Sequence, residues 1–171
     1  MDRSQLSTMK YCQIDRITSL HLGKSITAER TLRADEEHLK DHFPKFPVMP
    51  GVMMLECLTQ AATWLIRATD DFQTPLVLLK EVRSVKFGDF LAPGETLQIS
   101  ADVFKQDGRT TTVKAIAKKN GRTTVSARLI LECCSSNDPE RIGTDEDVCR
   151  RVKKQFHELF GDVPMTAKAQ V

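Results

Sequence analysis

At 171 residues, with 40% hydrophobic and 28% charged side chains, the chain has the size and composition of one globular domain with room for an appendage. A formal net charge of +2 gives no electrostatic bias toward nucleic acid, and no apolar run reaches the roughly 18 residues of a membrane helix. The opening MDRSQLSTMKYCQ lacks the apolar core of a signal peptide, and the five cysteines form no C-x-x-C pair, so free thiols in a reducing, cytoplasmic setting are expected.

In chain order, YCQIDRITSLHLG and KSITAERTLRA read as two strands joined by a Gly-Lys turn. DEEHLKDH is short and charged, enough for one helical turn. Residues 51–69, GVMMLECLTQAATWLIRAT, are apolar on nearly all sides and predict a buried helix that stops at Asp70 and Asp71. From residue 76 the period changes. LVLLKEVRSVKFGDFL, ETLQISADVFKQ, RTTTVKAIAKK and RTTVSARLILECC read as four antiparallel strands in a meander, with two-residue Asp-Gly and Asn-Gly turns in QDGR and KNGR. One buried helix among these strands is an α+β plan, a single sheet curled about one helix. The division expected is a domain over 1–134 and an addition over 135–171. In the addition SSNDPERIG is a linker. TDEDVCRRVKKQFHELFG is an amphipathic helix, with Thr144 and Asp147 as its start signal and Val148, Val152, Phe156 and Leu159 as its apolar stripe. Its Arg150, Arg151, Lys153 and Lys154 read either as a solvated face or as a docking surface for an acidic partner.

The chemistry concentrates in HFPKFPVMPGVMMLECLTQ, residues 42–60. Pro44, Pro47 and Pro50 recur every three residues, the period of polyproline II, and stiffen the approach from His42 to the helix. Pro50-Gly51 suits a helix start, whose first N–H groups have no internal partner and carry the positive end of the dipole. Glu56 falls among Met53, Met54, Leu55 and Leu58, where apolar surroundings would favour the protonated carboxyl of a general acid. Singly, a histidine is more often structural and a helix glutamate more often solvated; the combination points to catalysis. A straight polyproline II run over 42–50 would span about 25 Å at about 3.1 Å per residue. On that reading His42 and Glu56 of one chain meet only if the loop doubles back, whereas a two-fold dimer brings His42 of one chain to Glu56 of the other.

HFPKFPVMPGVMMLECLTQAA resembles the signature H-F-P-G-x-P-V-M-P-G-V-L-x-x-E-A-x-A-Q of the β-hydroxyacyl-acyl carrier protein dehydratases of fatty acid synthesis, the hot-dog fold family. The likeness keeps the His-to-Glu spacing, the three prolines and Gln60. It extends more weakly through QIDRI and VKFGDFLAPGETLQI, covering about residues 10 to 134. It implies an antiparallel sheet wrapped around one long helix, homodimers that in the family often assemble as trimers of dimers, and sites at the dimer interface that take an acyl-pantetheine arm from acyl carrier protein. Carried over, His42 would remove the Cα proton, Glu56 would protonate the departing hydroxyl and the Gly51 N–H would hold the thioester oxygen, with Phe43, Pro50, Val52 and Gln60 contacting substrate. No metal or organic cofactor, nucleic acid or membrane insertion is implied. Lys45 stands where the family has glycine, Cys57 and Thr59 replace alanines, and the usual P-H-R-Y-P-F segment is absent. Lys45 reads as a solvent residue or a carrier contact; Met53, Met54 and Phe90 read as core or as tunnel lining. The competing readings are a coenzyme A hydratase or thioesterase of the same fold, and a non-catalytic acyl-binding subunit.

Overall fold

The computed structural model describes residues 11–43, 45–135 and 143–166. Pro44, the first ten residues and most of the SSNDPERIG linker lie outside the described residues.

Seven strands form one sheet: β1 (Arg16–His21), β2 (Ser25–Thr31), β3 (Leu76–Phe87), β4 (Thr96–Asp107), β5 (Thr110–Lys119), β6 (Arg122–Cys134) and β7 (Met165–Thr166). Their order is β3-β6-β5-β4-β2-β1-β7. All pairs are antiparallel except the short β1–β7 pair. The expected meander therefore holds for β4, β5 and β6 but not for β3, which pairs with β6 and forms an edge of the sheet. The connection from β3 to β4 must pass the two intervening strands β6 and β5, which the APGE turn alone did not reveal.

Helix α1 (Gly51–Thr69) has the bounds its apolar run predicts. It lies in the hollow of the sheet. Ala61 and Ala62 on the helix, and Ala101 and Ala117 on the strands, are fully buried. Such small side chains let helix and sheet approach closely. Two turns follow from local chemistry. Asn120 and Gly121 (φ 51° and 78°) form the two-residue link between β5 and β6, as KNGR predicts. In QDGR the turn residues are Gly108 and Arg109, because Asp107 still pairs with Thr110. Placing glycine first, with φ 56°, shifts the expected Asp-Gly turn by one residue.

Helix α2 (Asp145–Phe160) begins at Thr144, whose Oγ1 accepts the Asp147 N–H at 3.3 Å and donates to the Asp147 carboxylate at 2.9 Å. Its apolar stripe packs on the C-terminal end of α1. That end breaks at Asp71 and Phe72, both left-handed (φ 52° and 61°), with the Phe72 N–H returned to the Arg67 carbonyl. The turn presents Phe72 to Phe156 at 5.0 Å between ring centres, and Trp64 meets Phe156 at 5.6 Å. Of the basic residues on the other side, Lys153 bonds Asp71 at 2.8 Å, Arg150 pairs with Asp147 and Lys154 with Glu158.

Phe156 is fully buried, so Phe156→Ala is expected to destabilise the protein by about 3–5 kcal/mol. Chemical denaturation followed by the fluorescence of Trp64, which touches Phe156, checks this; a loss under about 1 kcal/mol would show α2 to be loosely attached.

Candidate active site

The start of α1 is built by Pro50, the N-cap, whose carbonyl accepts the N–H groups of both Met53 (2.9 Å) and Met54 (3.2 Å). The Gly51 and Val52 N–H groups make no hydrogen bond among the described residues. They leave the positive end of a 19-residue helix facing outward. Gly51 sits close to the end of β3: a Cβ there would lie 3.0 Å from the Phe87 ring, which would have to give way slightly. Val52 is 72% exposed.

One turn in, Glu56 is exposed, not buried as its apolar neighbours in sequence suggest. Helical geometry gives the reason. Met54, Cys57 and Leu58 turn into the core, while Val52, Glu56 and Gln60 share the stripe that the sheet leaves open. The Glu56 carboxylate accepts a 2.8 Å hydrogen bond from Gln60 Nε2. Gln60 Nε2 also donates to the Tyr11 carbonyl, and Gln60 Oε1 accepts the Gln13 N–H, each at 2.8 Å. Both N–H donors of the Gln60 amide are thus engaged within the chain. This residue positions Glu56 and fastens residues 11–13, which is a different task from the expected contact with substrate.

His42 is half-buried and follows a 3₁₀ turn (Glu37–Lys40), with its N–H donating to the His38 carbonyl at 3.0 Å. Its ring lies 4.4 Å from that of Phe43. The approach to α1 is not a straight polyproline run. Phe43 is left-handed (φ 50°) and its carbonyl accepts the Phe46 N–H at 2.7 Å, so the chain turns there. Beyond the turn the Met49 N–H joins the Leu91 carbonyl, and Phe46 meets Phe90 edge-on at 5.8 Å. His42 and Glu56 make neither a hydrogen bond nor an ion pair with each other. Each chain therefore presents an imidazole, a carboxylate and helix N–H groups without a bond among the described residues, together with exposed Phe43, Phe46, Phe87 and Phe90. Met54 belongs to the core, Met53 is half-buried, and Lys45 is exposed.

Arg30 is the residue that sequence reasoning missed. Ile26, Ala28 and Arg30 alternate onto the inner face of β2, and Arg30 is only 2% exposed. A charge at an inward position of an alternating strand was the available signal. Its guanidinium bonds Glu36 at 2.5 Å and the Thr31 carbonyl at 2.8 Å, lies 3.7 Å from Asp15 and reaches Gln13 Oε1 at 3.4 Å.

Comparison with known proteins bears on the family and the fold. The ApeI-like family model, described as ApeI dehydratase, matches residues 18–128. The 3-hydroxyacyl-[acyl-carrier-protein] dehydratase FabZ of Levilactobacillus brevis is 34% identical over 125 residues, 73% of this chain and 84% of that one. Its counterpart from Lactobacillus helveticus is 35% identical over 116 residues, 68% of this chain and 78% of that one. Among solved structures, the dehydratase heterocomplex ApeI:P from Xenorhabdus doucetiae aligns with a TM-score of 0.62 at 16% identity, covering 77% of this chain and 89% of that one, a likeness of fold. The sheet wrapped on one helix is the hot-dog fold, with α2 lying beyond the matched residues.

Cys57, next to Glu56, points into the core, and burial pushes its thiol up to about 12. A thiol-specific reagent at about pH 8, where an ordinary thiol of pKa near 8.5 reacts, should leave Cys57 unlabelled in the folded protein and label it after denaturation. Mass spectrometry of the digested protein reads the outcome; labelling in the folded state would contradict this orientation of the helix.

Proposed function

The chain belongs to the 3-hydroxyacyl-[acyl-carrier-protein] dehydratase family, and from that membership we propose that it removes water from (3R)-3-hydroxyacyl thioesters on acyl carrier protein, giving trans-2-enoyl thioesters in fatty acid synthesis. The observation that carries this reading is the exposed Glu56 carboxyl, set one turn inside a helix whose Gly51 N–H has no partner among the described residues.

The steps follow from the groups present. The thioester oxygen accepts the Gly51 N–H at the positive end of α1, which stabilises the negative charge gained as a proton leaves Cα. His42 takes that proton. Glu56, acting in its protonated form, gives its proton to the 3-hydroxyl; the C–O bond breaks, water leaves, and the proton taken up by His42 restores the carboxyl for the next turnover. Phe43, Pro50 and Val52 offer the apolar contacts for the acyl-pantetheine arm. No step calls for a metal or an organic cofactor.

The two acid–base groups of one chain are not in contact, so the reading includes a homodimer in which His42 serves the Glu56 of the partner. The β3 edge supports it. This 12-residue strand has no neighbour on its outer side among the described residues and exposes Leu78, Leu79 and Phe87. An unpaired edge of that length is a template for another strand. Two-fold pairing there would extend the sheet and bring a second chain over the open stripe of α1. Assembly as a trimer of dimers and a cytoplasmic location complete the proposal. So does the division at residue 134, with catalysis on the hot-dog domain. No helix among the described residues is long and apolar enough to cross a membrane.

The test is hydration of a crotonyl thioester presented on acyl carrier protein and, separately, on coenzyme A. Glu56→Gln, which cannot supply a proton, is expected to lower kcat by about 10²–10⁴-fold while the protein stays folded. His42→Ala should behave likewise, with a remnant of activity from the helix-end donor. Near-normal turnover by Glu56→Gln would overturn the acid role. Preference for coenzyme A would favour a hydratase, and a folded protein silent on both carriers would favour an acyl-binding subunit.

A further inference from the structure

Buried charge is costly unless its partners are many and well placed, and in this chain Arg30 is a guanidinium with almost no access to water. Its partners are informative because they lead, by separate routes, to the two groups assigned to the chemistry.

The first route runs to Glu56. Arg30 Nε donates to Gln13 Oε1 at 3.4 Å, and Gln13, itself 7% exposed, gives its N–H to Gln60 Oε1 at 2.8 Å. The Gln60 Nε2 then donates to Glu56 at 2.8 Å. The second route runs to His42. Arg30 Nη2 donates to Glu36 Oε2 at 2.5 Å, while the other Glu36 oxygen accepts the Arg33 N–H at 2.9 Å. The carboxylate is thereby fixed by two donors. Glu36 caps the 3₁₀ turn: its carbonyl accepts the Leu39 N–H at 3.1 Å, and His38 Nδ1 lies 3.8 Å from its carboxylate. The His38 carbonyl accepts the His42 N–H. A third bond, from the Thr31 N–H to Asp15 at 2.6 Å, ties the same N-terminal segment to β2 beside Arg30.

We propose that Arg30 is a positioning residue for both halves of the acid–base pair, setting Glu56 through Gln13 and Gln60 and setting His42 through Glu36 and the 3₁₀ turn. The inference rests on the dehydratase reading above. In the proposed dimer each chain gives Glu56 to one site and His42 to the other, so one guanidinium joins the two sites of the assembly. The fork geometry matters as much as the charge. Three nitrogens of one planar group meet Gln13, Thr31 and Glu36 in different directions, which a lysine ammonium on a flexible stem cannot reproduce.

The experiment compares wild type with Arg30→Lys, which keeps the charge, and with Gln13→Met, which cuts only the route to Glu56. Two readouts are taken: kcat and KM on the acyl-carrier crotonyl thioester, and the side-chain amide signal of Gln60 in a nitrogen-15 NMR spectrum, assigned by its loss in Gln60→Leu. Misplacement of reacting groups by about 1 Å costs on the order of 100-fold, so Arg30→Lys is expected to lower kcat about 10–100-fold at nearly constant KM and to shift the Gln60 signal. Gln13→Met should shift the same signal with a smaller loss of kcat. A variant that only melts earlier, with kcat per folded protomer and the Gln60 signal unchanged, would overturn the proposal. Should Arg30→Lys not fold, Gln13→Met decides the Glu56 route alone, and an unmoved Gln60 signal there overturns it. A wild type without turnover on any thioester would sink the dehydratase reading, while the NMR comparison would still decide whether Arg30 holds Gln60 in place.

Discussion

The constraint that organises this molecule is the enclosure of one apolar helix by one sheet. Helix α1 has too few polar positions to stand in water, so β2 to β6 curl around it, and alanines on both surfaces allow the close approach. A single curved sheet cannot close on a helix completely. The stripe of Val52, Glu56 and Gln60 stays open, and this is where the polar chemistry lies. The same enclosure fixes the helix start against the end of β3, where Gly51 lies against the Phe87 ring. The Gly51 and Val52 N–H groups, unbonded among the described residues, the carboxyl and the sheet edge are therefore near one another for a packing reason.

The site is fastened by the segment that precedes β1, through the buried side chains of Gln13 and Arg30. Residues 11–15 form no regular strand; instead the Gln60 amide holds Tyr11 and Gln13, and Asp15 and Arg30 join the segment to β2. Lys119 performs a similar service on the other flank. It bonds the Phe90 carbonyl at 2.6 Å, and lies 3.3 Å from Asp89 and 3.1 Å from Glu95, so the loop bearing Phe90 is tied to β5.

Much of this was legible in the sequence because the signals were local. The apolar run over 51–69 predicted α1, Asn120-Gly121 predicted its turn, and Thr144 with Asp147 predicted the start of α2. The stripe of Val148, Val152 and Phe156 is buried as its spacing indicates. What failed depended on long-range packing. Glu56 looked buried because its sequence neighbours are apolar, yet only the sheet decides which stripe of a helix is left open. The proline spacing suggested a straight rod, but Phe43 in a left-handed conformation turns the chain. The place of β3 beside β6 depends on a crossover that no turn motif encodes. Arg30 was overlooked because its meaning comes from partners scattered from residue 13 to residue 36.

In the proposed dimer each site is composed of His42 from one chain and Glu56 from the other. The most direct measurement is the activity of mixed dimers made by co-expressing His42→Ala and Glu56→Gln chains with different affinity tags and isolating the species that carries both. In such a dimer a composite arrangement leaves one site with both residues intact and the other with neither. Activity is then expected to return to about half that of wild type, from two parents that are each nearly inactive. A mixed dimer as inactive as its parents would contradict it, and would place the acid and the base of each site on a single chain.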